Sequence, residues 1–170
     1  MHSVFLYSIF TEKLFNIKIK AMVSVKSILE KKGYDVYSVS PDQTVYDALK
    51  VLADKEIGAV LVKDGDKLIG IFSERDYARK LILKGFFSKE SSLRDVMTKD
   101  LVFVHYDADI FDCMAIMNEK KVRHLPVLEN NKLIGLVSIG DVVNGVINSQ
   151  KSVIKDLEGY IAGGGYGHMS

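Results

Sequence analysis

Two short stretches join residue types able to recognise a small polar ligand. Gly70-Ile71-Phe72-Ser73-Glu74-Arg75-Asp76 and Gly135-Leu136-Val137-Ser138-Ile139-Gly140-Asp141 each place a glycine, a serine and an aspartate at the same spacing. Each reads as the end of a strand entering a helix. There, free backbone N–H groups and a short hydroxyl can receive an anion or a sugar hydroxyl. The same serine and aspartate also suit helix capping, worth about 1 kcal/mol through the first-turn hydrogen bonds and the helix dipole. Both roles can coexist, because a capping carboxylate keeps lone pairs to spare. The second stretch has Ile139-Gly140 where the first has Glu74-Arg75, so Asp141 is expected to lack the neighbouring charge that Asp76 has.

These stretches are parts of a longer repeat. Val39 to Ile82 aligns with Val104 to Ile147 at a constant shift of 65 without a gap. Asp47 falls on Asp112, Lys67-Leu68-Ile69-Gly70 on Lys132-Leu133-Ile134-Gly135, and Ser73 and Asp76 on Ser138 and Asp141. Two copies of one supersecondary unit ordinarily mean that neither buries its apolar face alone. Within each copy a short extended piece (Tyr37 to Val39; Val102 to Val104) leads to a turn with Asp42 or Asp107. Helical periodicity follows, in Val45, Ala48, Leu49 and Leu52 after Thr44, and in Ile110, Met114 and Met117 after Asp109. Strands are expected at Ala59 to Val62 and Leu125 to Leu128, then at Leu68 to Phe72 and Leu133 to Val137. The turn-rich Asp64-Gly65-Asp66 and Glu129-Asn130-Asn131 between them make each pair a hairpin. A second helix closes each copy. This order predicts an α/β (α+β) unit with helices on one sheet face and the other face free to meet its twin. Residues 83–101 form the link, with a helical turn at Leu93 to Met97; residues 22–82 are assigned to the first copy with its leading helix and 102–150 to the second.

Bulk properties narrow the function classes. The chain has 170 residues, 48% hydrophobic, with net charge +1, so no long-range field holds nucleic acid or anionic lipid. An anionic ligand must be met by locally placed groups. The single cysteine, Cys113, lies in an amphipathic pattern with Phe111, Met114 and Met117, and reads as a buried side chain in a reducing compartment, hence a cytoplasmic protein. Residues 1–21 hold a short apolar run, Val4 to Phe10, ahead of Lys13, Lys18 and Lys20. That order is the reverse of a secretory signal and the run is too short to span a membrane, so the segment is read as a loosely attached extension. Residues 151–170 are read as a C-terminal helix and a tail too glycine-rich, at Gly163 to Gly167, to hold one conformation. Of the four histidines, His2 and His168 lie in these ends, and His105 and His124 have no metal-ligand spacing. With no nucleophile elbow, Walker loop or dinucleotide fingerprint, no catalytic residue and no catalytic cofactor is assigned.

The two glycine-serine-aspartate stretches in register, together with Val122-Arg123-His124-Leu125-Pro126-Val127, resemble paired CBS domains, also called a Bateman module. The resemblance covers roughly Val23 to Ile161. Ser73-Glu74-Arg75-Asp76-Tyr77 and the ending Tyr160-Ile161-Ala162-Gly163 look like small stand-alone bacterial CBS-pair proteins. The resemblance implies two pseudo-symmetric repeats packed through their sheets, with two pseudo-equivalent clefts. It gives Asp76 and Asp141 the 2′ and 3′ hydroxyls of a ribose, beside Ser73 and Ser138.

An adenine ring needs an apolar slot with backbone donors and acceptors at its edge, which Gly58-Ala59-Val60 and His124-Leu125-Pro126 offer. Gly58 and Ala59 leave room for a flat ring; equally, they suit tight packing between sheets. The family's ring site also draws on the start of the partner repeat, meaning Ser40 and Val45 for Asp141, and His105 and Ile110 for Asp76. Arg75, Arg123 and His124 fall at family positions that face phosphate, a task arginine's planar fork suits, although surface ion pairing accounts for them as well. The implied function is a regulatory binder of AMP, ADP, ATP or NAD(H) that signals through a change in repeat or dimer arrangement. The alternatives are a docking or dimerisation module with vestigial clefts, and a binder of S-adenosylmethionine or another adenosyl ligand. A homodimer is expected, with Tyr77, Leu81, Val143 and Ile147 left over for contact. The regulated target is expected on a separate chain.

Overall fold

The computed structural model describes residues 23–163, and side chains through residue 159. The N-terminal extension, the tail from Gly164, His2 and His168 lie outside the described residues, as do the side chains of Tyr160 to Gly163.

A leading helix α1 (Val25–Lys32) precedes the first copy, which contains β1 (Ser38–Val39), α2 (Val45–Asp54), β2 (Ala59–Asp64), β3 (Lys67–Ser73) and a single turn α3 (Glu74–Asp76). After α4 (Leu93–Val96), the second copy follows with β4 (Val104–His105), α5 (Ile110–Lys120), β5 (His124–Glu129), β6 (Lys132–Ser138) and α6 (Ile139–Gly163). The strands form two three-stranded sheets, ordered β1-β2-β3 and β4-β5-β6. In the first, β1 runs parallel to β2 and β2 antiparallel to β3, with Ala59 opposite Ser73.

Local chemistry sets the element starts as the sequence predicts. Thr44 Oγ1 accepts from the Asp47 N–H at 3.2 Å, while Asp47 Oδ2 accepts from the Thr44 N–H at 3.2 Å, a reciprocal capping box on α2. Asp109 caps α5 through the Phe111 N–H at 2.7 Å. The β5–β6 turn places Asn130 and Asn131 at φ 50° and 61°, the two successive left-handed residues a tight hairpin demands.

Two departures concern the helices. The first copy closes not on one regular helix but on α3, a π-turn at Tyr77–Leu81 and a 3₁₀ turn at Ile82–Lys84 that ends at Gly85 with φ 72°. The wide register shows in the Ile82 N–H, which bonds the Tyr77 carbonyl. It leaves Leu81 fully buried and Leu83 79% exposed, so Leu81 is a core residue rather than a dimer contact. The second copy instead closes on a helix of 25 residues that runs unbroken through position 150.

The chain divides into two compact units. One holds Tyr34–Phe103 and His124–Leu136. Its core gathers Val45, Ala48, Val60, Val62, Phe72, Leu81 and Leu93, and cutting Phe72 to alanine would cost about 3–5 kcal/mol. Four successive buried residues, Ala59 to Val62, mean that both faces of β2 are covered. Here α4 belongs with the first copy: Leu93 and Arg94 N–H groups bond the carbonyls of Gln43 and Pro41, and Thr98 exchanges backbone bonds with Ile71.

The other unit holds the described residues up to Gly33, with Val104–Arg123 and the chain from Val137 onward. The sequence groups α1 with the first copy, yet its hydrogen bonds go to the second. Val25 N–H bonds the Ala108 carbonyl at 2.9 Å and Ile110 N–H bonds the Val23 carbonyl at 3.3 Å. Ile28, Leu29, Ile110, Cys113, Met117 and Val142 are buried in this unit. Burial first, then the Asp112 and Asp109 carboxylates, push the Cys113 thiol up to about 11, so it stays protonated at neutral pH.

Candidate functional site

Each motif is built by the same local rule. Strand β3 ends at Ser73, and the Glu74 N–H bonds the Gly58 carbonyl at 3.2 Å; β6 ends at Ser138, and the Ile139 N–H bonds the Arg123 carbonyl at 2.8 Å. Those partners are equivalent at the shift of 65. At the first motif Asp76 Oδ2 accepts from Ser73 N–H at 3.0 Å and Ser73 Oγ at 2.6 Å, while Ser73 Oγ accepts from Asp76 N–H at 3.3 Å. At the second, Asp141 Oδ2 accepts from Ser138 N–H at 2.7 Å and Ser138 Oγ at 2.8 Å, and Ser138 Oγ accepts from Asp141 N–H at 3.2 Å. Both aspartates are therefore helix-capping groups.

The remaining carboxylate oxygens differ. Asp76 Oδ1 accepts from Thr98 Oγ1 at 2.9 Å and pairs with Lys80 Nζ at 2.8 Å, while Lys80 also donates to Thr98 Oγ1 at 2.8 Å and the Val96 carbonyl at 3.0 Å. This closed network leaves the Asp76 side chain 14% exposed. At Asp141 the lysine, Lys32 from α1, bonds Oδ2 at 2.6 Å, and Oδ1 has no hydrogen-bond partner among the described residues. Burial raises the Asp76 carboxyl, but the Lys80, Ser73 and Thr98 hydrogen bonds outweigh it and hold the group below its ordinary value. Burial likewise raises Asp141, and Lys32 with the Ser138 N–H and hydroxyl outweighs it to the same net direction.

Lys32 corrects the expectation that Asp141 lacks a neighbouring charge. The sequence could not place it, because 109 residues separate the pair. Lys80 was legible, since an acidic residue followed by lysine four positions on is a helical ion pair. The shift of 65 puts Gly145 where the first copy has Lys80, so the second copy has no local lysine for this task. Beside Asp141, α1 and α6 enclose a cavity of about 530 Å³ with Lys31, Lys32, Asn144, Gly145 and Asn148 on its wall.

The other expected contacts fall as follows. Ser138, Asp141, Arg123, His105 and Ile110 belong to the unit with α1; Ser40, Val45, Gly58, Ala59, Val60, Ser73, Arg75, Asp76, His124, Leu125 and Pro126 belong to the other. Val45, Val60, Leu125 and Ile110 are fully buried, and Ala59 and Pro126 are buried as well. A Cβ on Gly58 would meet His124 Nε2 at 3.4 Å, so the imidazole flanks the space that a bare backbone leaves there. Arg75 and His124 are half-buried, and Ser40, His105 and Arg123 are exposed. His105 Nδ1 lies 3.0 Å from Asp107 Oδ1. Among the described residues no group of histidine, cysteine and carboxylate side chains could hold a metal ion, and no helix is long and apolar enough to cross a membrane.

Two sheets carrying the same strand-end serine and helix-start aspartate define a tandem repeat. The family model for the CBS domain matches residues 20–83 and 93–148, and the chain belongs to that family as a tandem pair. It is 41% identical over 150 residues to "CBS domain-containing protein CBSX3, mitochondrial" of Arabidopsis thaliana, covering 83% of this chain and 73% of that protein. A solved structure described as a signal-transduction protein with CBS domains, from Burkholderia ambifaria, is 46% identical with TM-score 0.72, covering 75% of this chain and 96% of that one. The CBS domain pair of protein MJ0100, solved with 5-methylthioadenosine and S-adenosyl-L-methionine, shares the fold at 21% identity and TM-score 0.62, covering 72% and 94%.

Proposed function

We propose that this chain is a regulatory module that binds an adenosine-containing ligand, with AMP, ADP, ATP and NAD(H) as the class, and performs no catalysis of its own. The observation that carries it is Asp141, capped through one oxygen and open at the other, at the position where the family resemblance expects ribose hydroxyls. Two hydroxyls donating to Oδ1 would leave the capping bonds of Oδ2 intact, so binding does not require the helix start to unravel. The MJ0100 pair, bound to two adenosyl compounds, supports an adenosine-containing ligand and keeps S-adenosylmethionine as the alternative to a nucleotide. Arg123, exposed at the strand entrance, remains the candidate phosphate contact on this unit.

Signalling follows from differential affinity: a ligand that prefers one arrangement of repeats or protomers shifts the population toward it. Val143 and Ile147, 40% and 42% exposed on α6, are the apolar residues offered to a second copy in a homodimer, and a separate protein is the target. Calorimetry with AMP, ATP and NADH, with light scattering of free and saturated protein, tests this. Saturable heat with at least one of the three is expected. Absence of heat and of thermal stabilisation with all three would leave a docking module with vestigial clefts as the function.

A further inference from the structure

In the unit that holds Tyr34–Phe103, one apolar surface is not part of the core. After the π-turn the chain reverses around a left-handed Gly85, whose N–H bonds the Ile82 carbonyl at 3.1 Å while the Phe86 N–H bonds the Leu81 carbonyl at 3.2 Å. Such a helix end ordinarily tucks the residue after the glycine against the preceding turn. Here Phe86 is 56% and Phe87 70% exposed, beside Leu83 and an Ile82 that is 57% exposed. The backbone beneath them is tied down. The Phe87 carbonyl accepts from the Glu90 N–H at 3.2 Å, the Ser91 N–H at 3.0 Å and Ser91 Oγ at 2.9 Å. The Ser88 and Ser91 carbonyls accept from the Tyr46 and Val45 N–H groups at 3.0 and 2.9 Å. The loop thus satisfies two free N–H groups at the start of α2, which fixes its path while its large side chains stay in solvent.

A contiguous exposed apolar patch marks a contact surface, and the charge around this one says with what. Between Tyr77 and Ser92 the sequence carries Arg79, Lys80, Lys84 and Lys89 against one carboxylate, Glu90. Lys80 is engaged by Asp76, whereas Arg79, Lys84 and Lys89 are exposed. Tyr46, joined to the loop through Ser88 and 42% exposed, has Lys89 Nζ 5.3 Å and Lys50 Nζ 6.0 Å from its ring centre. Apolar side chains bordered by a tyrosine and ammonium groups match the passage of a bilayer from acyl chains to phosphate headgroups. We propose that Leu83, Phe86 and Phe87 insert shallowly into an anionic lipid surface, with Lys50, Lys84 and Lys89 against its phosphates. The chain's net charge of +1 exerts no long-range pull, so retention rests on these local groups. Insertion supplies the affinity, and the lysines supply the preference for anionic lipid. This docking needs no spanning helix and is independent of what binds at Asp141.

The test is cosedimentation of the full chain with vesicles of phosphatidylcholine alone and of equimolar phosphatidylcholine and phosphatidylglycerol. It compares the wild type with Phe86→Ser/Phe87→Ser and with Lys84→Gln/Lys89→Gln, using melting curves to confirm folding and light scattering to follow the oligomeric state. The wild type is expected to bind the anionic vesicles about tenfold more tightly than the neutral ones, an advantage that shrinks at high salt. The serine variant loses binding to both vesicles, and the glutamine variant loses the preference, each at an unchanged melting temperature. Absence of wild-type binding to the anionic vesicles, unchanged binding by the serine variant, or an undiminished preference in the glutamine variant would overturn the proposal. Dissociation of a dimer in the serine variant, with no lipid binding by the wild type, would assign this surface to a second copy of the chain instead.

Discussion

Ser73 to Asp76 and Ser138 to Asp141 obey one sequence rule and build one capping geometry, but the aspartates end in different surroundings. Asp76 has both oxygens engaged, one by its own cap and one by Thr98 and Lys80, which α4 and the π-turn bring together. Asp141 shares its capping oxygen with Lys32 and keeps the other open beside a cavity. Duplication thus preserved the part of the motif that starts a helix. The groups beyond it differ: the Asp76 carboxylate is held at both oxygens, and the Asp141 carboxylate at one.

The comparison breaks most visibly in stability. Asp76→Ala strands Lys80 and Thr98 in a half-buried network and is expected to cost about 3 kcal/mol, while Asp141→Ala, losing mainly a cap, costs about 1 kcal/mol. Urea denaturation of both variants measures this, and equal losses would refute the distinction. Gly70→Ala comes next, at about 2 kcal/mol. Its Cβ would lie 2.5 Å from Met97 Sδ and 3.2 Å from the Thr98 carbonyl, so the Asp76 network needs a bare backbone in β3. A melting temperature unchanged by this substitution would show that α4 has slack.

Acidification sharpens the contrast. Both carboxyls titrate below the ordinary aspartate value of 3.8, so each binds its proton more weakly folded than unfolded. Their stabilisation is complete above that value and is lost as pH falls through the lower folded values. Stability measured downward from pH 5 should fall below about pH 4, and less steeply in Asp76→Ala than in the wild type. The smallest effect tests what the copies share. Glu56 and Lys121, equivalent at the shift of 65, follow α2 and α5 at φ 52° and 56°. Glycine at either position should stabilise by about 0.5–1 kcal/mol, equally in both copies. Unequal gains would mean that the helix ends have diverged as well.

What the sequence disclosed was whatever depends on near neighbours. The repeat shows as a constant shift of 65, and the Thr44 and Asp109 caps, the paired hairpins and the helical turn at Leu93 follow from spacings of a few residues. The exchange of leading helices, with α1 on the second copy and α4 on the first, left no periodic trace. Lys32 was invisible for the same reason, as it meets Asp141 only once α1 has docked. The broken closing helix of the first copy was hidden differently: Tyr77 to Lys84 contains neither proline nor glycine, and only burial of Leu81 accompanies the wide turn. At the candidate site, sequence located both aspartates; Lys80 was readable from its spacing, whereas Thr98 and the cavity emerged only from the fold.

The most direct test is titration of AMP into wild type, Asp76→Ala and Asp141→Ala, reading stoichiometry and affinity together. One AMP per chain is predicted, weakened at least tenfold by Asp141→Ala and retained by an Asp76→Ala protein that still folds. Two equivalent sites, or loss of binding through Asp76 alone, would contradict the assignment of the ligand site to Asp141.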